Sequence, residues 1–279
     1  MIQVGRYEVA SVINGWIRLD GGAMFGVVPR VLWAPTQDVD DQNRMLMAMR
    51  TLVVADRETG RVMLVDSGAG SKWSKKEADR YAIEDRPRAL VEGLEGMGLG
   101  VDDVTDVVIT HAHFDHAGGV LEQDDDGQGR PRFARATHWV HQRHLRHALG
   151  PHVKDRASFM ARDFQALERT ATVHLVQGDD PEPPMEGVRW LISHGHTPYQ
   201  LLVLIEDDEA PLLFTGDMIP TSTHLPAPWV MAYDMQPTVT IEEKTRVLDR
   251  CATDGWRLAF PHDRRMGGAV VDTGGKRPR

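Results

Sequence analysis

The sequence predicts an α/β fold, and three observations carry that prediction. Apolar runs of strand length recur along the chain, helical segments fall between them, and several runs end in histidine or aspartate. The chain has 279 residues, 41% of them hydrophobic and 26% charged. These are ordinary values for a globular protein and exclude a disordered, collagen-like or coiled-coil chain. At roughly 150 residues per domain, the length allows one large domain or two small ones. No Gly/Ser-rich or Pro-rich linker and no internal repeat divides the chain, so residues 1–279 read as a single domain.

The elements follow in order. Residues 51–55 and 61–65 are apolar and flank 56–60, which predicts a hairpin turned by Gly60. Residues 87–97 predict a helix, with Pro87 at an early helical position and Gly98 at its end. Residues 158–170 predict a second helix. Residues 201–205 and 211–214 predict another hairpin. The acidic run 206–209 between them reads as a solvated turn, as does 124–126. Residues 241–254 predict the clearest helix, because Thr240 and Glu243 have capping-box spacing and Gly255 stops it. Cys251 follows Leu248 on the apolar face of that helix and reads as a packed small hydrophobe. Residues 267–279 carry little apolar content and are expected to form a loose tail.

Charge and sulfur content narrow the function. The formal net charge is −9, which disfavours nucleic acid because phosphate repels it. No apolar run reaches transmembrane length, and residues 1–6 lack a secretory pattern, so a cytoplasmic protein is expected. A small-molecule substrate is expected, with no nucleic-acid or membrane partner; a homodimer stays open. The lone Cys251 excludes an internal disulfide framework and a thiolate-rich zinc site. Thirteen histidines therefore point to a metal held by nitrogen and oxygen.

Four strand-like runs end in candidate ligands. Residues 106–110 lead into His111, His113, Asp115 and His116. Residues 188–193 lead into His194 and His196, 211–216 into Asp217, and 257–261 into His262 and Asp263. Loops past strand ends converge while the strands stay rigid, so sites form there. His111 and His113 alternate about Ala112 and leave the same side of an extended segment. Gly118 and Gly119 allow close backbone approach, so Asp115 and His116 can face the same cavity. Surface histidines at a turn are the plainer reading, but the apolar residues 107–109 should bury the start of this segment. His144 and His147 are three apart on a helical segment and read as a solvated face.

Residues 110–119, Thr-His-Ala-His-Phe-Asp-His-Ala-Gly-Gly, resemble the signature of the metallo-β-lactamase superfamily. Asp66, His196, Asp217 and His262 follow that family's order, so the resemblance spans 66–262. It implies an αββα sandwich, two mixed sheets with helices outside. It also implies two divalent ions, zinc first and Mn2+, Fe2+ or Co2+ as alternatives. His111, His113 and His196 would hold one ion, and Asp115, His116 and His262 the other. Asp217 would bridge them, and Asp66 would orient a ligand from behind.

An aspartate at 217 resembles glyoxalase II, N-acyl-homoserine lactone lactonases, methyl parathion hydrolase and phosphodiesterase-type nucleases more than thiolate-ligated β-lactamases. A hydroxide shared by two ions would attack the substrate, with Asp115 or Asp217 moving a proton to the leaving oxygen. The tyrosine that follows the bridging aspartate in such lactonases is absent, since Met218, Ile219, Pro220 and Thr221 stand there. His224 and Tyr233 are candidate replacements. Phe25, Trp33, Leu225, Trp229 and Met231 are candidate walls of an apolar cleft. Such a cleft favours a lactone or carboxylic ester with an apolar group. The alternatives are a phosphotriester hydrolase, a β-lactamase-like amide hydrolase, a mononuclear-iron persulfide dioxygenase, or a binding module with a structural metal.

Overall fold

The computed structural model describes residues 1–86, 88–123, 129–178 and 181–270. The first half begins with β1 (Ile2–Val4) and the long β2 (Tyr7–Asp20), followed by two short helices, α1 (Gly21–Phe25) and α2 (Arg30–Trp33). Next come β3 (Arg44–Ala55), β4 (Val62–Val65), α3 (Lys75–Tyr81), β5 (Glu84–Asp85), α4 (Ala89–Glu95) and β6 (Asp106–Val108). After these lie α5 (Phe114–Ala117), β7 (Leu121–Gln123), β8 (Gly129–Pro131), β9 (Thr137–His141), α6 (Gln142–Leu149), α7 (Ala161–Thr170) and β10 (Thr172–Val176). The second half holds β11 (Val188–Ser193), β12 (Gln200–Ile205), β13 (Leu212–Phe214), α8 (Pro237–Asp254), β14 (Arg257–Ala259) and β15 (Gly268–Val270).

Among the described residues, the first sheet runs β1-β2-β3-β4-β6-β9-β10, with β5 on β2, and the second β11-β12-β13-β14-β15. Both mix parallel and antiparallel pairs: β4–β6–β9–β10 and β13–β14 are parallel, and the other main pairs are antiparallel. The layering follows from strand alternation. In β12, Leu201, Val203 and Ile205 face the first sheet, meeting Leu52, Val54 and Met63. Leu202 and Leu204 face the other way, onto Val247 and Cys251 of α8. In β3, Val53 and Ala55 turn outward to Leu90 and Leu94 of α4 and Leu167 of α7. Strands buried on both faces read as continuous apolar runs, which is why they stand out in the sequence. The result is helix, sheet, sheet, helix, as the resemblance implied.

Both predicted hairpins form, with Ala55 opposite Val62 and Ile205 opposite Leu212. Gly60 sits in the left-handed region at φ 72°. In the acidic turn, Asp207 accepts from the backbone N–H groups of Gly5, Glu209 and Ala210. The run 124–126 and Pro87 lie outside the described residues.

Three boundaries are corrected. The second predicted helix is preceded by a 3-10 turn, Arg156–Ser158, and α7 begins only at Ala161. Helix α8 starts a turn earlier than 241, at Pro237, so Thr240 does not cap it. Glu243 is not in a capping box either, because its carboxylate is drawn to the turn after β11. The stretch expected to be a loose tail contains β15, where Ala269 pairs with Leu258; residues 271–279 lie outside the described residues. No helix among the described residues is long and apolar enough to cross a membrane.

Candidate metal centre

Strands β4 and β6 are parallel neighbours, so the loops after them leave the same edge. Asp66, the residue after β4, adopts φ 61°, which turns its carboxylate across to the next loop. Its Oδ1 accepts the Thr110 N–H at 2.9 Å, and its Oδ2 lies 2.8 Å from His116 Nδ1. Behind them, Ser67 N–H donates to His116 O at 2.7 Å. Gly119 permits this approach, since a Cβ there would stand 2.2 Å from Ser67 O. The second sheet supplies three more loops at one edge, because β11, β13 and β14 run the same way. They carry His196, Asp217 and His262 respectively.

Two groups of potential ligand atoms result. His111, His113, His196 and Asp217 form one, and Asp115, His116 and His262 the other. In each, the ligand atoms lie within 4.8 Å of one another, and all seven residues are buried. Asp217 stands between the groups. Its Oδ1 is 3.2 Å from His116 Nε2 and 3.1 Å from His262 Nε2, and its Oδ2 is 3.5 Å from His196 Nε2. His262 Nε2 is also 3.5 Å from Asp115 Oδ2, while its Nδ1 faces Ala48 O at 2.8 Å.

Charge is concentrated in this buried volume. Burial, with His116 and His113 adding to it, holds His111 well below the ordinary histidine value. Burial and His196 do the same to His113. Burial also opposes charge on His116, yet Asp217, Asp115 and Asp66 raise it well above the ordinary value. Burial opposes the Asp217 carboxylate too, but His262 and His116 hold it well below the ordinary carboxylate value. The residues fit a divalent cation. His111 Nδ1 lies 3.0 Å from Thr110 Oγ1, and its buried Nε2 has no hydrogen-bond partner among the described residues. His116 Nε2 and His262 Nε2 face each other at 2.9 Å and converge on Asp217. Imidazole and carboxylate donors so aimed suit zinc and related ions.

The profile of the metallo-beta-lactamase superfamily matches residues 51–265. The chain belongs to that superfamily. It is 26% identical over 153 residues to N-acyl homoserine lactonase AttM of Rhizobium radiobacter. That match covers 52% of each chain, so the chain spans about half the length of this curated relative. A probable metal-dependent hydrolase from Staphylococcus aureus superposes with a TM-score of 0.89 at 24% identity, over 99% of this chain and 96% of the other. AidC, a dizinc quorum-quenching lactonase, superposes at 0.76 with 16% identity, over 100% and 95%. At these identities the likeness shows the shared fold.

In this superfamily chain the ligand groups open into a cleft of about 90 Å³. Leu19, Met24, Met47, Phe114, Met231 and Tyr233 line it beside Asp115, His196, Asp217 and His262. Of the cleft residues expected from sequence, Tyr233 and Met231 are in the wall. The others are corrected: Phe25 stacks on Trp33 at 5.0 Å and on His224 at 4.5 Å, with Trp229 edge-on at 5.8 Å, behind the cleft. His224 is tied to Thr221 Oγ1 and Met24 O and so does not face substrate. Leu225 packs under α8.

Several positioning residues escaped the sequence reading. Asp234 Oδ1 lies 3.0 Å from His196 Nδ1. Glu243 accepts from Ser193 Oγ at 2.6 Å, His194 N–H at 2.9 Å and Gly195 N–H at 3.3 Å, and so holds the turn before His196. His144, expected on a solvated face, is buried: its Nε2 accepts the Ala112 N–H at 2.7 Å and its Nδ1 donates to Pro198 O at 2.7 Å. Lys154 Nζ donates to the carbonyls of Ala232, Tyr233 and Asp234. None of these positioning roles had a spacing signal, since each acts on a segment far away in the chain.

Proposed function

We propose that the chain hydrolyses a lactone or carboxylic ester carrying an apolar group, using two divalent ions, zinc first among the candidates. The observation that carries this reading is Asp217 standing between two buried ligand groups at the floor of a largely apolar cleft. That AttM and AidC are lactonases agrees with it. Two ions, when bound, supply a Lewis acid for the substrate oxygen and an activated water.

The chain's own residues do the rest. His111, His113 and His196 would hold one ion, Asp115, His116 and His262 the other, and Asp217 both. Asp66 and Asp234 fix the rings of His116 and His196 by binding the nitrogen opposite each ligand atom. Asp115 lines the cleft and carries a proton to the leaving oxygen. Tyr233 takes the place of the missing tyrosine. Its hydroxyl has no hydrogen-bond partner among the described residues, and burial with nearby Asp20 and Asp115 pushes it up to about 12. It therefore keeps its proton and donates it in a hydrogen bond to the substrate carbonyl. The cleft's Met and Leu side chains exclude water and seat the apolar group.

A screen of the zinc- and manganese-loaded protein against lactones, aryl esters, phosphotriesters and β-lactams tests the substrate class. The highest kcat/KM is expected for a lactone or ester; a preference for a phosphotriester or β-lactam overturns the reading. Metal analysis is expected to return two ions per chain, whereas a single iron favours the persulfide dioxygenase.

A further inference from the structure

We propose that the rim of the cleft docks on an anionic lipid surface. Two segments form that rim. Met24 of α1 lines the cleft, and so do Ala157 and Ser158. Outward from α1, Val27 is 89% exposed, Val31 79% and Leu32 55%. On the other segment Val153 is 73% exposed. The two segments meet at Ala232, which packs against Gly26 and whose carbonyl accepts from Lys154 Nζ. A run of aliphatic side chains this open, around one opening, marks an interaction surface.

Charge selects the partner. Residues 21–36 and 142–158 contain one acid, Asp155, which is buried against His147. The same stretches contain Arg30, Arg143, Arg146, Lys154 and Arg156 in a chain of net charge −9. Arg30, Arg146 and Arg156 are exposed and have no carboxylate partner among the described residues. Of the acids flanking α1 and α2, Asp38 and Asp40 pair with Arg18 and Arg44, while Asp20, which accepts the Ala23 N–H, and Asp41 are exposed, so the bases of the rim still outnumber its acids. Aliphatic side chains flanked by exposed arginines without a carboxylate partner match an interface of acyl chains under anionic headgroups. A second copy of the chain would instead bring like charges face to face. The whole-chain charge argues against such a surface, but the charge local to the rim is reversed. Docking would present the cleft to an apolar substrate dissolved in lipid. That consequence rests on the substrate reading above; the docking does not.

Co-sedimentation of the metal-loaded chain with vesicles tests this without any substrate. Binding to phosphatidylglycerol-containing vesicles is expected to be on the order of a hundred-fold tighter than to phosphatidylcholine alone, at about one kcal/mol per exposed arginine. It is expected to weaken with salt. The exposed variants Val27→Glu/Val31→Glu and Arg146→Gln/Arg156→Gln are expected to abolish it while leaving turnover of a short water-soluble ester unchanged. Equal or absent binding to the two vesicle types overturns the proposal. So does a dimer, seen by light scattering, that Val27→Glu/Val31→Glu splits without any vesicle binding.

Discussion

Asp66 never touches the cleft, yet two loops depend on its carboxylate. It binds His116 Nδ1 with one oxygen and the Thr110 N–H with the other, at 2.8 and 2.9 Å. Asp66→Asn keeps the size but exchanges an acceptor for a donor. It is expected to weaken metal retention by roughly ten- to a hundred-fold, read by competition with a chelating dye. Asp234→Asn should act similarly through His196. Tyr233 differs in kind, because it faces the cleft and holds no ligand. Tyr233→Phe is expected to lower kcat by roughly ten- to a hundred-fold with metal content unchanged, as loss of one hydrogen bond to a charge-bearing oxygen implies. A fall in metal content instead would make it a structural residue. Cys251 is buried, and burial pushes its thiol up to about 12, so the packed reading holds.

Helix α8 organises the second sheet's half of the site. Glu243 holds the turn before His196, and Lys244, one residue on, donates to the carbonyls of His224, Pro226 and Trp229. Glu243→Ala would leave the buried Ser193 hydroxyl and Gly195 N–H without their acceptor. The expected cost is about 1–3 kcal/mol for each buried group left unpaired, seen as a fall in the denaturant midpoint. Lys244 is fully buried, and burial pushes it from 10.5 down to about 7. Its folded value lies below its unfolded one, so between pH 7 and 10.5 the unfolded chain binds more protons. The penalty of burying its charge is complete below pH 7 and is relieved as pH rises through that window. The unfolding free energy of the native chain relative to Lys244→Met should therefore rise between pH 6 and 9, by on the order of 2 kcal/mol. No rise, or a fall, would contradict this. In the first sheet, Gly119→Ala pushes a methyl into Ser67 O and should cost about 1–3 kcal/mol by separating the Asp66 and His116 loops.

At the scale of the molecule, the site is where the edges of two sheets meet. Asp66, His111, His113, Asp115 and His116 follow strands of the first sheet, and His196, Asp217 and His262 follow strands of the second. Ions held there would tie the sheets together, so chelation is expected to lower the melting temperature by several degrees, reversibly on adding zinc. The ligands were legible because each sits in a short motif directly after an apolar run: a strand end is a local feature, and alternation around Ala112 already aims two imidazoles one way. The strands were legible for a related reason, as continuous apolar runs record burial on both faces. Helix α8 shows the limit. Its Thr240 and Glu243 carry a valid local capping signal, but the turn at 193–195 offers Glu243 buried donors, and that tertiary demand overrides it. The cleft wall shows it again. Phe25, Trp33 and Trp229 are as apolar as Met24 and Met47, and hydrophobicity does not say which of them faces the opening. Sequence alone thus determined an α/β chain and the candidate ligand residues, since both are written in residue type and short spacing, whereas the layering was implied only by the family resemblance. The tertiary structure alone decided which groups orient those ligands, which side chains wall the cleft and where the chain turns basic and apolar around it. Those properties arise between segments distant in the chain, where packing, not local spacing, chooses the neighbour.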